Sequence, residues 1–125
     1  VSGVVFDTGA LIAFERGDRA VAVLLREARR EGATVTVPAG CVAQAWRNPR
    51  RQARIGLLLK QPNVRIQPLD ADDARRIGLL LAATGTSDVV DAHVALCAHR
   101  LGQAVLTSDP DDLRRLSAKL AVRAV

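Results

Sequence analysis

"VVFDTGALIAFERGD" (residues 4–18) is the stretch on which the fold turns. Val4, Val5 and Phe6 run without a break into Asp7, then come Thr8, Gly9 and a second apolar run. Short and rich in β-branched side chains, the first segment reads as a buried strand. A carboxylate at the end of such a strand is costly to desolvate unless something pairs with it or binds it. Its partner has to come from elsewhere in the chain.

Outward from there, strand-like and helix-like segments alternate. Strands are expected at "GVVF" (3–6), "TVTVP" (34–38), "NVRIQPL" (63–69) and "QAVLTSD" (103–109), with "AVRAV" (121–125) as a further candidate. The helical pattern fits "AVAVLLREARREG" (20–32), which is amphipathic and stops at Gly32. It also fits 38–46, opened by Pro38, and 49–60, opened by Pro49. Three more helices are expected at 70–84, 87–102 and 110–120. The 87–102 stretch is apolar nearly all round and is placed in the interior, with Val90, Val94, Cys97 and Leu101 as its core stripe. Such alternation specifies an α/β sandwich around a mainly parallel sheet of four to five strands. No repeat, low-complexity segment or linker interrupts it, so residues 1–125 are read as a single domain.

Composition narrows the function. The chain is 49% hydrophobic and 25% charged, as in an ordinary globule. No apolar run reaches the roughly 20 residues of a membrane span. "VSGVVFD" has none of the marks of a secretory signal, and Cys41 and Cys97 read as buried, reduced thiols, so a cytoplasmic location is expected. Net charge is +5, and of eighteen cationic residues only Lys60 and Lys119 are lysine. Arginine is the side chain best shaped for phosphate, and the basic balance favours a polyanionic partner.

In parallel sheets, ligands bind beyond the carboxyl ends of the strands. Asp7 follows the first strand there and Asp109 ends "VLTSD", with Asp112 three residues on. Asp88 and Asp91 lie one turn apart at the start of the buried helix. Clustered carboxylates raise one another's pKa, and a hard divalent cation such as Mg²⁺ or Mn²⁺ relieves the repulsion. Asp88 and Asp109 equally suit helix N-caps, and Asp112 a dipole partner. Asp91 is the sole acid inside an apolar helical stretch, which makes it the hardest to assign to capping.

"VVFDTGALIAF", "VPAGCVAQAWR", "DVVDAHVALCA" and "VLTSDPDDL" resemble, in order, the signature segments of PIN domains, and within them the small VapC-type toxins of bacterial toxin–antitoxin pairs. The resemblance spans essentially the whole chain. It implies a PIN-like three-layer sandwich and a Mg²⁺- or Mn²⁺-dependent endoribonuclease that cuts single-stranded RNA, leaving a 5′-phosphate and a 3′-hydroxyl. It also implies a homodimer and a cognate VapB-type antitoxin. Asp7, Asp91 and Asp109 match the family's main acids, Asp112 an auxiliary one, and Asp88 is a further acid at the site edge. Where the family usually carries Glu in the short helix after the second strand, this chain has Gln44. An amide keeps an acceptor but lacks charge. The departure implies weaker metal binding, and it opens the alternative of a weak or inactive module that binds RNA or antitoxin without cutting.

For substrate, Thr8, Thr107 and Ser108 stand next to the acids, with hydrogen-bonding or capping roles. On a helix starting at Pro49, Arg50, Arg51 and Arg54 share a face, and with Arg47 they form a candidate phosphate-binding surface or an ordinary solvated one. Phe6 and Phe14 read as core, Trp46 as packed on a neighbouring helix or in contact with a base or partner, and His93 and His99 as structural. "IGLLL", at 55–59 and 77–81, serves core packing or a partner surface. A phosphoacceptor receiver domain would need an acidic pair after the first strand and a well-placed lysine. Neither is present, and no phosphate-binding glycine loop follows any strand.

Overall fold

A computed structural model describes residues 3–125; Val1 and Ser2, part of the opening segment and of the expected 1–125 domain, lie outside the described residues. The elements in order are β1 (Val4–Phe6), α1 (Thr8–Glu15), α2 (Arg19–Glu31), β2 (Val35–Pro38), α3 (Ala39–Ala45) and α4 (Ala53–Leu59). There follow β3 (Val64–Gln67), α5 (Ala71–Thr84), α6 (Val89–Leu101), β4 (Ala104–Thr107), α7 (Pro110–Leu116) and β5 (Val122–Ala124). The five strands form one sheet in the order β3-β2-β1-β4-β5, and every neighbouring pair is parallel.

β1 is the central strand, with Val4 opposite Val35 on one side and Ala104 on the other. Both its faces are covered, α1 touching β1 and β4 while α6 touches β1, β2 and β4. Covered on both sides, the strand carries no polar alternation: Val5 and Phe6 are fully buried. Each such side chain contributes roughly 1.5–3 kcal/mol by leaving water. The edge strands β3 and β5 have exposed positions instead. Three layers result, with α1 packed on α2, α3 and α4, and α6 packed on α5 and α7. Among the described residues no single helix is long and apolar enough to cross a membrane.

Four local readings need correction. The sequence does not announce α1: "TGALIAFE" is apolar on nearly all sides, so it shows no amphipathic face, and only its cap marks it. Thr8 is its first residue rather than part of a turn, and Asp7 caps it. α4 starts at Ala53, not Pro49, so Arg50 and Arg51 lie in the preceding turn and share no helical face with Arg54. Asn48 captures that turn, its side chain accepting from the Arg50 N–H at 3.0 Å and its carbonyl from the Arg51 N–H at 2.9 Å. Leu101 is 45% exposed at the end of α6, outside the core stripe. α7 stops at Leu116, short of the expected 120.

α6 runs between Asp88, whose side chain caps it, and Gly102, which closes it at φ 62° in the left-handed region. Replacing such a capping aspartate by alanine costs about 1 kcal/mol. Ala92, His93, Val94, Ala95, Cys97 and Ala98 are buried, so the helix body is interior while its first turn reaches the surface at Asp88. His93 is structural in this sense: it faces the buried Asp73 of α5 at 3.9 Å. His99 is exposed.

Candidate active site

From β1 the chain steps to β2 on one side, while β4 pairs on the other, so a crevice opens beyond the carboxyl ends of β1 and β4. Asp7 and the Thr107–Asp109 segment are the two lips. Asp7 is only 7% exposed. Its Oδ1 accepts the Ala10 N–H at 2.9 Å, capping α1. Burial pushes its pKa up and the Asp109 charge adds to this, against hydrogen bonds from Thr107, Ala10 and Gly9.

Thr107, fully buried, joins the lips: its side chain hydrogen-bonds toward Asp7 and its hydroxyl accepts the Asp109 N–H at 2.9 Å. Gly9 sets how closely they approach, since a Cβ there would overlap the Ser108 hydroxyl and stand 3.0 Å from the Ser108 nitrogen. This need for glycine was missed in the sequence, where only "DTG" ahead of an apolar run hints at it.

The other acids come from helix starts. Asp88 accepts the Asp91 N–H at 2.9 Å, and Asp109 accepts the Asp112 N–H at 3.4 Å. Asp112 is raised by its hydrogen bond to Asp109 and by that residue's charge. Asp91, half-buried, carries the clearest signature: its pKa is pushed up to about 6, by burial first and then by Asp88, Asp112, Asp7 and Asp109 in turn. Asp91 therefore lies in the field of the other four acids. Asp88 and Asp109 each cap a helix with one oxygen, and their charges contribute to raising the Asp91 carboxyl.

α3 borders the same crevice. Gly40 packs on Val90, next to Asp91, so closely that a Cβ would stand 3.0 Å from a Val90 methyl. One turn on, Gln44 Oε1 accepts the Thr8 hydroxyl at 2.5 Å. Cys41 lies fully buried beneath, its thiol pushed up to about 12 mainly by burial and further raised by Asp7 and Asp91. A thiol so hard to ionise is no nucleophile. Cys97 is likewise a buried free thiol.

Among the described residues no three His, Cys, Asp or Glu side chains are drawn into a set that grips an ion as they stand. Repulsion among the carboxylates opposes such a gathering, and a divalent cation removes it. The donors are hard carboxylate oxygens, the type Mg²⁺ and Mn²⁺ prefer. Arg47, Arg50, Arg51 and Arg54 stand apart from the acids: none of them forms an ion pair among the described residues.

No curated protein matches this sequence. Solved structures similar to the chain include the following two. VapBC2 from Rickettsia felis bound to a DNA fragment from their promoter aligns with TM-score 0.70 and 12% identity, over 100% of this chain and 99% of that one. PAE2754 from Pyrobaculum aerophilum aligns with TM-score 0.56 and 19% identity, over 97% and 83%. At those identities the likeness speaks for the fold. The sequence itself goes further: the family model for the PIN domain matches residues 4–119, from the first strand to beyond the last helix, and the chain belongs to the PIN domain family.

Proposed function

We propose that this chain is a VapC-like, metal-dependent endoribonuclease that hydrolyses phosphodiester bonds in single-stranded RNA. The observation that carries the proposal is Asp91, whose carboxyl is raised to about 6 by burial and by four further aspartates at a sheet crevice. Such a cluster is stabilised when a dication binds.

The residues fit Mg²⁺ or Mn²⁺, with Asp7, Asp91 and Asp109 as the holding acids and Asp88 and Asp112 as auxiliaries. Bound there, the ion supplies an acidified water and neutralises phosphate charge. Thr107 fixes the spacing of Asp7 and Asp109 through its two hydrogen bonds. Thr8 holds the Gln44 carbonyl, leaving the amide group to orient a water or a phosphate oxygen. Ser108, exposed beside Gly9, is assigned a contact with the substrate backbone, which its exposure supports. Arg47, Arg50, Arg51 and Arg54 supply sequence-independent phosphate contacts.

On its likeness to the Rickettsia felis VapBC2 complex we extend the reading to an antitoxin partner. A homodimer and a cytoplasmic location complete it. The two "IGLLL" segments each divide, Ile55, Leu58 and Ile77 entering the core while Leu57 and Leu79 are 68% and 73% exposed and available to a partner.

Gln44 supports a second reading, a PIN module that binds without cutting, because a neutral amide, bonded to Thr8 beside Asp7, stands where the family usually carries Glu. Purified protein incubated with single-stranded RNA decides between them. Cleavage that requires Mg²⁺ or Mn²⁺ and is abolished by Asp7→Asn is the expected result. RNA binding with no cleavage under either metal would overturn the nuclease reading in favour of the second.

A further inference from the structure

The positive charge of this protein is concentrated in one segment. Residues 32–69 carry six cationic side chains and no acidic one, whereas the rest of the chain carries twelve cations against thirteen acids. At the centre of that segment stands Trp46, the only tryptophan in a chain with two phenylalanines and no tyrosine. It is 37% exposed, although buried apolar side chains elsewhere fill the core.

Its setting is organised. The Trp46 N–H ends α3 by donating to the Val42 carbonyl at 2.8 Å. Immediately after it, the Gln52 side-chain carbonyl accepts the Asn48 N–H at 2.5 Å and the Arg47 N–H at 3.2 Å. The benzo edge of the indole rests on the bare backbone of Gly56, where a Cβ would stand 3.5 Å from Cη2. One edge is thus seated while the residue as a whole stays 37% exposed.

Arg47, Arg50 and Arg51 surround this ring in sequence. Among the described residues no carboxylate pairs with them, unlike Arg30, Arg75, Arg114 and Arg115, each paired one helical turn away. Two residues before Trp46 lies Gln44, bonded to Thr8 beside Asp7. A partly exposed aromatic ring, flanked in sequence by arginines without ion pairs and two residues from Gln44, matches what a single-stranded polynucleotide presents: flat bases on a polyanionic backbone.

We infer that Trp46 is a base-stacking residue, taking the face of one nucleobase of a single-stranded RNA whose phosphates lie on Arg47, Arg50 and Arg51. The inference rests on the ribonuclease reading and adds to it a residue that positions the strand. Being stacking, the contact tolerates any base but requires one.

Because Trp46 is the sole tryptophan and tyrosine is absent, intrinsic fluorescence reports on this residue alone. The probe is unlabelled oligoadenylate in EDTA, which keeps it intact, set beside an abasic oligomer with the same number of phosphates. Oligoadenylate should quench Trp46, and the abasic strand should bind in a salt-dependent way without quenching. Trp46→Ala should weaken oligoadenylate binding roughly 5- to 100-fold, the range for loss of one stacked base. Trp46→Phe, which keeps a flat ring and guards against misfolding of the alanine variant, should restore most of the affinity. Oligoadenylate that binds without quenching, and equally well to Trp46→Ala, overturns the stacking role while leaving the ribonuclease reading standing. Quenching by an antitoxin-type protein but not by RNA would likewise overturn it. No binding of either strand at low salt would overturn the ribonuclease reading as well.

Discussion

Asp91→Asn should make the metal-free protein more stable, and should do so only above acid pH. The Asp91 carboxyl is pushed from its ordinary 3.8 to about 6, by burial first and then by Asp88, Asp112, Asp7 and Asp109. Between those two values the folded chain still holds a proton that the unfolded chain has released. Stability therefore falls as pH rises through that window and levels off above it. A shift of about two pH units corresponds to about 3 kcal/mol, and partial exposure of Asp91 reduces this to about 1–2 kcal/mol through solvent screening. Asparagine has the same shape and no charge. The cap of α6 is untouched, because Asp88 takes the backbone N–H of residue 91, not its side chain.

The assay is urea denaturation in EDTA at about pH 4 and about pH 7.5. Wild type and variant should nearly coincide at the lower pH. At the higher pH the variant should be ahead by about 1–2 kcal/mol, or roughly 3–8 °C in Tm. Saturating Mg²⁺ should then raise wild type more than the variant, since a ligand stabilises only the form that binds it. A variant no more stable than wild type at the higher pH, or a gap independent of pH, would show that residue 91 is not in the field of the other acids.

Two further outcomes follow from the same geometry. Gln44→Glu keeps the acceptor for the Thr8 hydroxyl while adding a charge beside the acids, so Mn²⁺ should bind about tenfold more tightly by calorimetry. An unchanged affinity would mean that residue 44 does not face the ion. Arg100→Ala removes the partner 2.6 Å from Asp73, a carboxylate only 2% exposed that the guanidinium holds below its ordinary value. The cost should lie toward the lower end of about 1–3 kcal/mol, because the Arg100 side chain is 44% exposed. A depressed carboxylate stabilises above its ordinary 3.8 and ceases to as pH falls through its lower folded value, so the difference should close in acid. Denaturation curves showing a gap unchanged at low pH would count against the pair.

What could be read from the sequence was what one-dimensional patterns encode. β1 showed itself as a continuous apolar run because both its faces are covered, and Asp7 was placed at the crevice by the parallel-sheet rule alone. α2 was plain from its amphipathic pattern and its glycine stop, Gly32, and α5 from its acidic first turn, apolar body and Gly85. α1 was not, since an all-round apolar helix has no periodic face to recognise. The turn at Arg50 and Arg51 was misjudged because Pro49 suits a helix start, while the competing hydrogen bonds to Asn48 and Gln52 cannot be ranked from residue types. For the candidate site, the sequence displays the residue types but not their connections. That Thr107 ties Asp7 to Asp109, or that Ser108 leaves no room for a side chain at residue 9, depends on which atoms meet across the sheet.

The site and the fold draw on the same atoms. Asp7, Asp88 and Asp109 each commit Oδ1 to a backbone N–H at a helix start. Those hydrogen bonds contribute about 1 kcal/mol apiece to holding the helices, which partly offsets the repulsion of crowding acids into one crevice. The positive end of the α1 dipole acts in the same direction at Asp7. Because the capped oxygen is pinned to the backbone, each carboxylate can swing only about that bond, so its free oxygen is aimed by the helix behind it. Asparagine caps a helix about as well as aspartate, so Asp→Asn at these positions removes the charge while leaving the scaffold standing. Alanine removes both, and loss of activity in an alanine variant would not separate a ruined site from a frayed helix. That distinction is why the decisive substitutions in this protein are to asparagine.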